Sequence, residues 1–437
     1  MHAKIKEIAK IFLEKTRTKG ITIVSHNDTD GITSAAILAK TLNQLDRRFA
    51  IKIIKGLEPE IIVSLPKNQV TIFLDLASSS LNHLKYSDLE DIFIIDHHEI
   101  SQPIPEKVSI INPHLHNEEL MSGSCLTYLF CKELTKRDKT LATLAVIGLV
   151  GDTMEKNLGK IKNEILHDAE ATVRKSLLLY PATRPVNKTL EYTSEIYIPN
   201  VTGSASGAIK FLNDIGIKKE NNRHKSLMEL TDEEMKKLVT AIMLSNPQDE
   251  SNIVGNLFLV KFFNKLEDAR EISGLINACS RFGETGTAVS MCLGNPNSLK
   301  TAQTIHARYR KELTEALSSI PEIPKIQGNG FVIINSREKI KDTMIGTVTS
   351  ILSNSKVYTE GTVLIGMSYS GEKIKVSSRL CGKRGRNVKE ILDQVHSNIG
   401  GECGGHEFAA GSLFERNKEQ EFLQHLVKTL EMEIIKV

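Results

Sequence analysis

The sequence contains no tryptophan, and it has no apolar stretch of about 18 residues, the length needed for a helix that spans a membrane. A membrane-spanning segment is therefore not expected. The first residues, Met1 to Lys6, lack the apolar core of an export signal. We accordingly expect a cytoplasmic protein without a membrane partner.

Cysteine is scarce, and its spacing lacks the CxxC pairs of structural zinc sites. The cysteines are Cys125, Cys131, Cys279, Cys292, Cys381 and Cys403. Such spacing is typical of free thiols in a reducing compartment. The sequence also lacks a phosphate-cradling GxxxxGK loop and a recognisable Ser/His/Asp arrangement. Neither an ATP-driven motor nor covalent acyl transfer is therefore expected.

Charge and hydrophobicity are ordinary for a globular protein with a proper core. Apolar residues make up 40% and charged residues 25% of the chain, and the formal net charge is only +3. A length of 437 residues predicts two or three domains. The net charge does not by itself indicate a nucleic-acid partner, because the distribution of basic residues matters more than their sum.

Histidine and aspartate residues follow four apolar runs in the first part of the chain. The four segments are Ser25-His26-Asn27-Asp28-Thr29-Asp30-Gly31, Leu74-Asp75, Asp96-His97-His98 and Gly151-Asp152. We interpret each preceding run as a buried strand, including Ala145 to Val150 before Asp152, although Thr140 to Leu149 is also apolar enough to be a buried helix. Buried carboxylates are costly unless they are compensated, so their convergence favours a pair of divalent cations.

The order of apolar runs and helical patterns predicts an α/β protein. Residues 1–200 alternate strands and helices, which predicts a domain with a largely parallel sheet. Ligands of such sheets bind at the carboxyl ends of the strands. Residues 201–318 look helical, and Thr231 with Glu234 fits a capping box at one helix start. Residues 319–437 alternate again, which predicts a smaller α/β domain and an active-site cleft between domains.

The residue types in the four segments suit a two-metal site. Asp28 and Asp30 would point to the same side of a strand, whereas in a turn they would splay toward two metals. Asp75 could bridge the two ions, with His97 and Asp152 as further ligands. Mixed oxygen and nitrogen ligands suit manganese, and to a lesser degree magnesium, cobalt or zinc. Two such cations about 3.5–4 Å apart support hydrolysis of phosphate esters.

These segments resemble the motifs of a known family. In order and spacing, the four segments are similar to the four motifs of the DHH phosphoesterase superfamily. The stretch Gly400-Gly401-Glu402-Cys403-Gly404-Gly405-His406-Glu407-Phe408-Ala409-Ala410-Gly411 resembles the GGH-x-x-AAG signature of the DHH-associated C-terminal domain. Within the superfamily, the chain is most similar to archaeal RecJ-like exonucleases. That group includes the nuclease that associates with the GINS replication complex.

The resemblance implies a catalytic role for each matching residue of the first domain. One manganese ion would be held by His26, Asp28 and Asp75, and the other by Asp30, Asp75, His97 and Asp152. Magnesium or cobalt would be the substitutes. His98 would face the scissile phosphate, and Asp96 would orient a histidine from behind the ligands. The role of His26 rests on the weakest match, because relatives differ at this position.

Basic residues cluster in the last quarter of the chain. The segment from Lys373 to Lys389 holds seven basic residues and no acidic one. Such a segment suits a phosphodiester backbone. Arg379, near a predicted strand end, resembles the phosphate-contacting position of the family. Gly404 and Gly405 would let backbone N–H groups approach a phosphate, and His406 would contact a phosphate or a terminal nucleotide.

The sequence therefore predicts a manganese-dependent phosphodiesterase that releases nucleotides from an end of single-stranded DNA or RNA. The resemblance implies work in DNA repair or replication, with the GINS complex as a candidate partner. One alternative is an oligoribonuclease or a cyclic-dinucleotide phosphodiesterase. Another is a replication scaffold related to RecJ, although non-catalytic relatives of that kind lose the metal ligands that this chain keeps.

Overall fold

The computed structural model describes residues 1–116, 118–135, 138–179, 181–193, 198–245, 254–355 and 357–432. The chain forms two compact units. The first comprises Met1–Ser176 and Gly255–Ala307, and the second comprises Leu177–Val254 and Arg308–Val437. The chain thus leaves the first unit and returns to it. The predicted domain boundaries after residues 200 and 318 remain predictions.

Helices and strands alternate as far as the fourth strand; a fifth strand, three consecutive helices and one more strand then complete the chain up to residue 177. In order, they are α1 (His2–Lys15), β1 (Ile21–His26), α2 (Thr29–Gln44), β2 (Phe49–Ile54), α3 (Pro59–Val63), β3 (Val70–Leu74), α4 (Leu81–Lys85), β4 (Asp91–Ile95), β5 (Val108–Ile111), α5 (Gly123–Leu134), α6 (Lys139–Gly151), α7 (Lys160–Asp168) and β6 (Thr172–Leu177). The central strands are short apolar runs, whereas α1 repeats its buried Ile5, Ile8 and Phe12 at helical spacing.

The first five strands form one parallel sheet in the order β2-β1-β3-β4-β5. The chain passes from β1 to a neighbour on one side and then returns to β3 on the other. Such a reversal opens a crevice at the carboxyl ends of the strands. His26, Asp75 and Asp96 lie at or directly after the ends of β1, β3 and β4. The predicted α/β class with a parallel amino-terminal sheet is confirmed.

An apolar core holds the start of α2 in place. Residues of α1, α2, α5 and α6 pack together against this sheet. The rings of Phe12 and Phe93 meet edge to face at 5.2 Å, and those of Phe12 and Phe130 at 5.4 Å. Because α2 is buried along nearly its whole length, the polar residues at its amino terminus have a fixed position.

The fourth polar segment does not follow a strand, so that prediction is wrong, whereas the buried helix predicted over Thr140 to Leu149 is confirmed. Asp152 directly follows helix α6, and the run from Ala145 to Val150 forms the end of that helix. Every residue of this run is buried. A run that is apolar on all sides shows no periodicity by which a buried helix could be told from a buried strand.

The middle of the chain is mainly helical, as predicted, but it also contains a β-hairpin. Its elements are α8 (Val186–Tyr192), α9 (Ala205–Asp214), α10 (Asp232–Ser245), β7 (Val254–Phe262), β8 (Lys265–Asp268), α11 (Ala269–Arg281), α12 (Thr285–Cys292) and α13 (Pro296–Ser319). The capping box is confirmed: the Glu234 N–H donates to Thr231 Oγ1, and the Thr231 N–H donates to Glu234 Oε2. The hairpin, which sequence reasoning missed, turns at Phe263 and Asn264, both with positive φ.

The last part of the chain forms a second sheet with helices on both faces. Its elements are β9 (Lys325–Gly328), β10 (Phe331–Asn335), α14 (Asp342–Asn354), β11 (Val363–Ser370), β12 (Lys373–Leu380), α15 (Val388–Ile399), β13 (Glu402–His406), β14 (Ala409–Glu415) and α16 (Glu419–Met432). The strand order is β13-β14-β12-β11-β10-β9. Residues of α15 and α16 pack in one core and those of α14 in another. Among the described residues, no helix has the length and apolarity to cross a bilayer.

Candidate metal centre

The loop between β1 and α2 brings the first candidate ligands into a tight turn. Asp28 caps α2, because its Oδ1 accepts a hydrogen bond from the Gly31 N–H at 2.9 Å. The Ser25 hydroxyl donates to the Gly31 carbonyl at 2.6 Å. A Cβ on Gly31 would lie 2.3 Å from the carbonyl oxygen of His26, so only glycine fits there. Asp28 therefore caps α2 and Asp30 lies in the first turn of that helix, so neither lies along a strand.

Asp30 is held by the amino terminus of α5. Its Oδ2 accepts a hydrogen bond from the Gly123 N–H at 2.5 Å, and its Oδ1 accepts one from the Ser124 N–H at 3.0 Å. The positive end of the helix dipole therefore faces this buried carboxylate. Gly148 leaves the necessary space, since a Cβ on it would lie 2.6 Å from Asp30 Oδ1.

Asp75 is a deeply buried carboxylate of the cluster that lacks hydrogen bonds. It follows β3 with a φ of 58°, and its N–H donates to the Ile95 carbonyl at 2.9 Å. Both of its carboxylate oxygens are buried, and their polar neighbours include imidazole nitrogens, His97 Nε2 at 3.2 Å and His26 Nδ1 at 3.5 Å, neither of which is in hydrogen-bond geometry. A positive φ in a residue other than glycine stores strain of the kind that clusters at functional sites.

The candidate ligands converge in two groups that share a boundary. The ligand atoms of His26, Asp28 and Asp75 lie within 4.8 Å of one another, as do those of Asp30, His97 and Asp152. His97 joins the groups, because its Nε2 lies 3.2 Å from both Asp75 Oδ1 and Asp152 Oδ2. Asp28 and Asp30 thus belong to different groups, in the splayed arrangement that a turn allows.

The protonation of the cluster reflects its density of carboxylates. Burial, followed by repulsion from Asp30, raises the pKa of Asp75 well above its usual value. The same two causes raise the pKa of Asp152 to about 7. Burial alone would lower the pKa of His26, but contacts with Asp28 and Asp75 outweigh it and raise that pKa to about 10. Without cations, the folded protein therefore retains protons to compensate the clustered charge.

Asp96 lies behind the cluster, where it holds the backbone of His97 and the imidazole of His98. Its Oδ1 accepts hydrogen bonds from the backbone N–H groups of His97 at 2.8 Å and His98 at 3.3 Å, and its Oδ2 accepts one from the Ser78 N–H at 2.9 Å. The Nδ1 atom of His98 lies 2.7 Å from Asp96 Oδ1. Burial would raise the pKa of Asp96, but the contact with His98 lowers it to about 2. Asp96, His97 and His98 also form an overlapping ligand-type group with Asp75.

Helix α11 contributes two contacts that sequence reasoning missed. The Thr29 hydroxyl, between the two aspartates of the loop, donates to the Ser273 carbonyl at 3.2 Å. Arg270 forms an ion pair with Glu155, which follows Asp152 in a short helical turn. No local pattern marks these residues, because 244 positions separate Thr29 from Ser273. The sequence offers one signal for the contacts that Gly123 and Ser124 make with Asp30, because both are small residues at the start of a helix.

Of the predicted substrate-binding residues, His98 lies in the first unit, and Arg379, Gly404, Gly405 and His406 lie in the second. Arg379 lies in β12, where its Nε donates to Ser350 Oγ at 2.9 Å and its Nη1 donates to the Ser378 carbonyl at 2.8 Å. Burial lowers the pKa of Arg379. Gly404, Gly405 and His406 are exposed in β13, which pairs with β14. These residues thus lie on strands of one sheet, so their backbone positions are fixed.

The basic segment of the second unit divides into two kinds of residue. Lys383 and Arg384 are exposed. Arg386, in contrast, donates to the Leu430 carbonyl at 2.8 Å and to the Gly330 carbonyl, so it connects the loop to its own domain. Lys389 forms an ion pair with Asp393 one helical turn away. Only part of the segment is therefore available to an anionic ligand.

The donor set of the first unit fits divalent cations. Asp75 offers two buried oxygens without hydrogen bonds, which are costly in the absence of a partner. Imidazole nitrogens and carboxylate oxygens surround it on both sides. A mixed set of this kind suits manganese, and carboxylates with imidazole also accept magnesium, cobalt and zinc.

Family models match three parts of the chain. The DHH family N-terminal domain matches residues 20–149, the DHH-CID domain residues 179–250, and the DHHA1 domain residues 329–432. An uncharacterized protein of Methanocaldococcus jannaschii is 30% identical over 98% of both chains.

Solved structures share the fold at low sequence identity. CDC45 from Entamoeba histolytica superimposes with a TM-score of 0.68 and 12% identity, covering 98% of this chain and 99% of that one. RecJ from Thermus thermophilus in complex with Mn²⁺ gives a TM-score of 0.61 and 17% identity. The match covers 98% of this chain but only 55% of that RecJ. A second exonuclease RecJ bound to manganese gives a TM-score of 0.61 and 16% identity, with coverages of 97% and 93%.

Proposed function

The chain belongs to the DHH family, and we propose that it is a metal-dependent nuclease that removes nucleotides from an end of single-stranded DNA or RNA. Members of this superfamily are metal-dependent phosphoesterases, and the fold is RecJ-like. The observation that carries the proposal is the buried Asp75 carboxylate, which has two oxygens without hydrogen bonds between two groups of ligand-type side chains.

Two manganese ions are the proposed cofactors. His26, Asp28 and Asp75 would hold one ion, and Asp30, Asp75, His97 and Asp152 would hold the other. When bound, such a pair of cations lowers the pKa of a water and neutralises charge on a phosphate. Binding would also displace the protons that the metal-free cluster retains, since ligands must be deprotonated.

His98 is the proposed phosphate contact of the first unit. Its side chain is 54% exposed, whereas that of Asp96, its partner, is wholly buried. The contact with Asp96 raises the pKa of His98 despite its partial burial. The imidazole is therefore biased toward its charged form and holds its second nitrogen, Nε2, free to donate to a phosphate oxygen.

The second unit supplies the proposed contacts to the rest of the substrate. The backbone N–H groups of Gly404 and Gly405 and the imidazole of His406 are suited to a phosphate or a terminal nucleotide. Arg379 is half-buried and held by Ser350, so its planar guanidinium is prearranged for an anion. These roles are proposed from exposure and chemistry.

A smaller substrate is the first alternative. The same chemistry would serve an oligoribonuclease or a cyclic-dinucleotide phosphodiesterase. These enzymes prefer substrates of a few nucleotides, whereas an exonuclease of the RecJ type acts on longer strands. Hydrolysis rates measured on a dinucleotide and on strands of increasing length separate the two alternatives.

A replication scaffold is the second alternative, and the likeness to CDC45 favours it at the level of the fold. The retained ligand set argues for catalysis, because a scaffold has no need of clustered buried carboxylates. Association with a replication complex such as GINS would be compatible with nuclease activity.

The proposal is tested by digestion of single-stranded DNA and RNA, each labelled at one end or the other, with Mn²⁺ or with a chelator. We expect stepwise release of nucleotides that requires Mn²⁺ and is lost in Asp75→Asn. Asp88→Asn is the matched control, since Asp88 is exposed and forms its ion pair with Lys67. Unchanged digestion by Asp75→Asn would remove the catalytic assignment.

A further inference from the structure

Basic residues surround a cavity at the opposite end of the parallel sheet. The linkers that lead into β1 and β2 line a cavity of about 550 Å³ together with Gln69, which precedes β3. Arg17 lies in the first linker, and Arg47 and Arg48 lie in the second. Asp46 is the one acidic residue of this lining. The cavity therefore lies at the amino ends of the strands whose carboxyl ends carry the metal ligands.

The rim of this cavity is fixed by backbone hydrogen bonds. The Ile21 N–H donates to the Arg48 carbonyl at 3.1 Å, and the Val70 N–H donates to the Gly20 carbonyl at 2.9 Å. The Arg47 N–H donates back to the Leu42 carbonyl at 2.9 Å at the end of α2. These bonds extend the sheet into both linkers, so the backbone that carries the arginines is prearranged.

The described acids near the cavity form no ion pairs with its arginines. Lys19 is already paired with Asp91 at 2.7 Å and lies 3.7 Å from Glu90. Arg17, Arg47 and Arg48, in contrast, form no ion pair within the described part of the chain. In addition, the Nε of Arg47 is buried and has no hydrogen-bond acceptor among the described residues. Since Arg47 as a whole is only half-buried and has no ion pair among these residues, the outer N–H groups of its guanidinium remain available to a ligand in the cavity.

We propose that this cavity binds a phosphate-bearing ligand the size of a nucleotide. Guanidinium groups present planar forks of N–H donors that match phosphate oxygens in pairs. The volume falls within the range of pockets for small ligands, about 300–1,000 Å³. A nucleotide phosphate would accept from Arg47 and its neighbours while the base lies against the linkers.

The site is separate from the metal centre and does not depend on the proposed nuclease activity. β1 runs from one site to the other over six residues. At about 3.3 Å for each residue, the two ends are roughly 20 Å apart. One phosphate group therefore cannot occupy both sites, and binding at the cavity needs no divalent cation.

The test measures binding in the presence of a chelator, which removes metal-dependent binding at the other end of the sheet. Pyrophosphate, a nucleoside triphosphate and a single-stranded oligonucleotide are titrated by calorimetry into the full chain. We expect the triphosphate to bind and the double variant Arg47→Gln/Arg48→Gln to bind it at least about tenfold more weakly. That is the scale of one lost charge-assisted hydrogen bond.

Lys6→Gln/Lys10→Gln is the matched control, because both lysines are exposed on α1 and the change in net charge is equal. This control should bind like wild type, and thermal melting should report that both double variants fold. Absence of triphosphate binding, or equal weakening in the control, would overturn the proposal. The oligonucleotide could bind more tightly than the triphosphate and lose this binding only in the arginine double variant. That result would identify the ligand as a phosphate group of a nucleic-acid strand.

Discussion

The most buried candidate ligands of the first unit and the β13 residues of the second unit differ sharply in their exposure. In the first unit, the side chains of Asp30, Asp75 and His97 are 0, 1 and 9% exposed. In the second unit, Gly405 and His406 are exposed along β13. Buried charge needs a compensating ion or proton, whereas exposed groups stay hydrated until a ligand arrives.

The two units differ in the kind of free-energy cost that their site residues impose on the fold. In the first unit, the cost is electrostatic, because charged side chains are buried. The stability of the folded protein therefore depends on whether cations or protons are bound to the cluster. In the second unit, the cost is conformational: Gly405 has a φ of 132°, and a Cβ on it would lie 2.4 Å from the Ala409 carbonyl oxygen. Substitutions in the first unit should therefore lower activity without lowering the stability of the metal-free protein. Substitutions in the second unit should change activity and stability together.

The largest expected effect comes from Asp75→Asn. Asparagine keeps the shape and tolerates a positive φ, but it offers only one carboxylate-like oxygen and no charge. We expect Mn²⁺-dependent hydrolysis to fall by more than about a hundredfold, beyond the range for groups that act behind the ligands. The melting temperature in a chelator should stay at or above that of wild type, because a neutral amide avoids both the burial and the repulsion from Asp30 that penalise a carboxylate there.

Asp88→Asn should change neither property, since that residue is exposed and its ion pair with Lys67 lies outside the ligand groups. If Asp75→Asn lowered the stability of the metal-free protein and retained activity, the proposed difference between the two units would be wrong.

The next effect is expected from Asp96→Asn. An amide cannot accept at both Oδ1 and Oδ2, so either the Ser78 N–H or the His97 and His98 donors lose their partner. We expect kcat/KM to fall by about 10–100-fold. Because Asp96 raises the pKa of His98, the alkaline limb of the rate profile should move to lower pH. An unshifted profile would show that Asp96 acts on the fold alone.

A matched pair of glycines tests the second unit. Gly405→Ala should cost about 1–3 kcal/mol in the free energy of unfolding, because of its positive φ and its close contacts with Ala409 and Ala410. Gly404→Ala meets nothing within 4 Å and should change that free energy by less than about 0.5 kcal/mol. Urea denaturation measures both. Equal losses would contradict the conformational account of β13.

The smallest effect is the pH dependence of the metal-free protein. Asp152 has a pKa of about 7, and Asp75 also has a raised pKa, so the folded state holds more protons than the unfolded state above about pH 4. His26, with a pKa of about 10, extends this difference into the alkaline range. The stability they contribute is present at low pH and is lost as pH rises through these values.

The melting temperature in a chelator should therefore fall between about pH 5 and pH 8, and Mn²⁺ should flatten this dependence. Asp96, with a pKa of about 2, has the opposite sign, but its contribution changes only below about pH 4. A melting temperature that rises across this range without metal would contradict the raised pKa values.

Much of the site was predictable because its signals are local. His26, Asp28 and Asp30 follow an apolar strand and precede a helix within a few residues, and Asp75 follows another such strand. The segment before Asp152 allowed two interpretations, a strand and a buried helix, because a run that is apolar on all sides shows no period that decides between them.

The supporting contacts were hidden for a different reason. The amides that hold Asp30 are 93 and 94 residues away, and Ser273 is 244 residues from Thr29. A single sequence carries no pattern that links positions so far apart. The β7–β8 hairpin was missed because Phe263 and Asn264 are not a common pair at a tight turn.

The most direct test is anomalous diffraction from a crystal of the protein soaked in Mn²⁺. We predict two manganese peaks on either side of the Asp75 carboxylate, one beside His26 and Asp28 and the other among Asp30, His97 and Asp152. A crystal in which these side chains lie apart, with no manganese among them, would contradict the account.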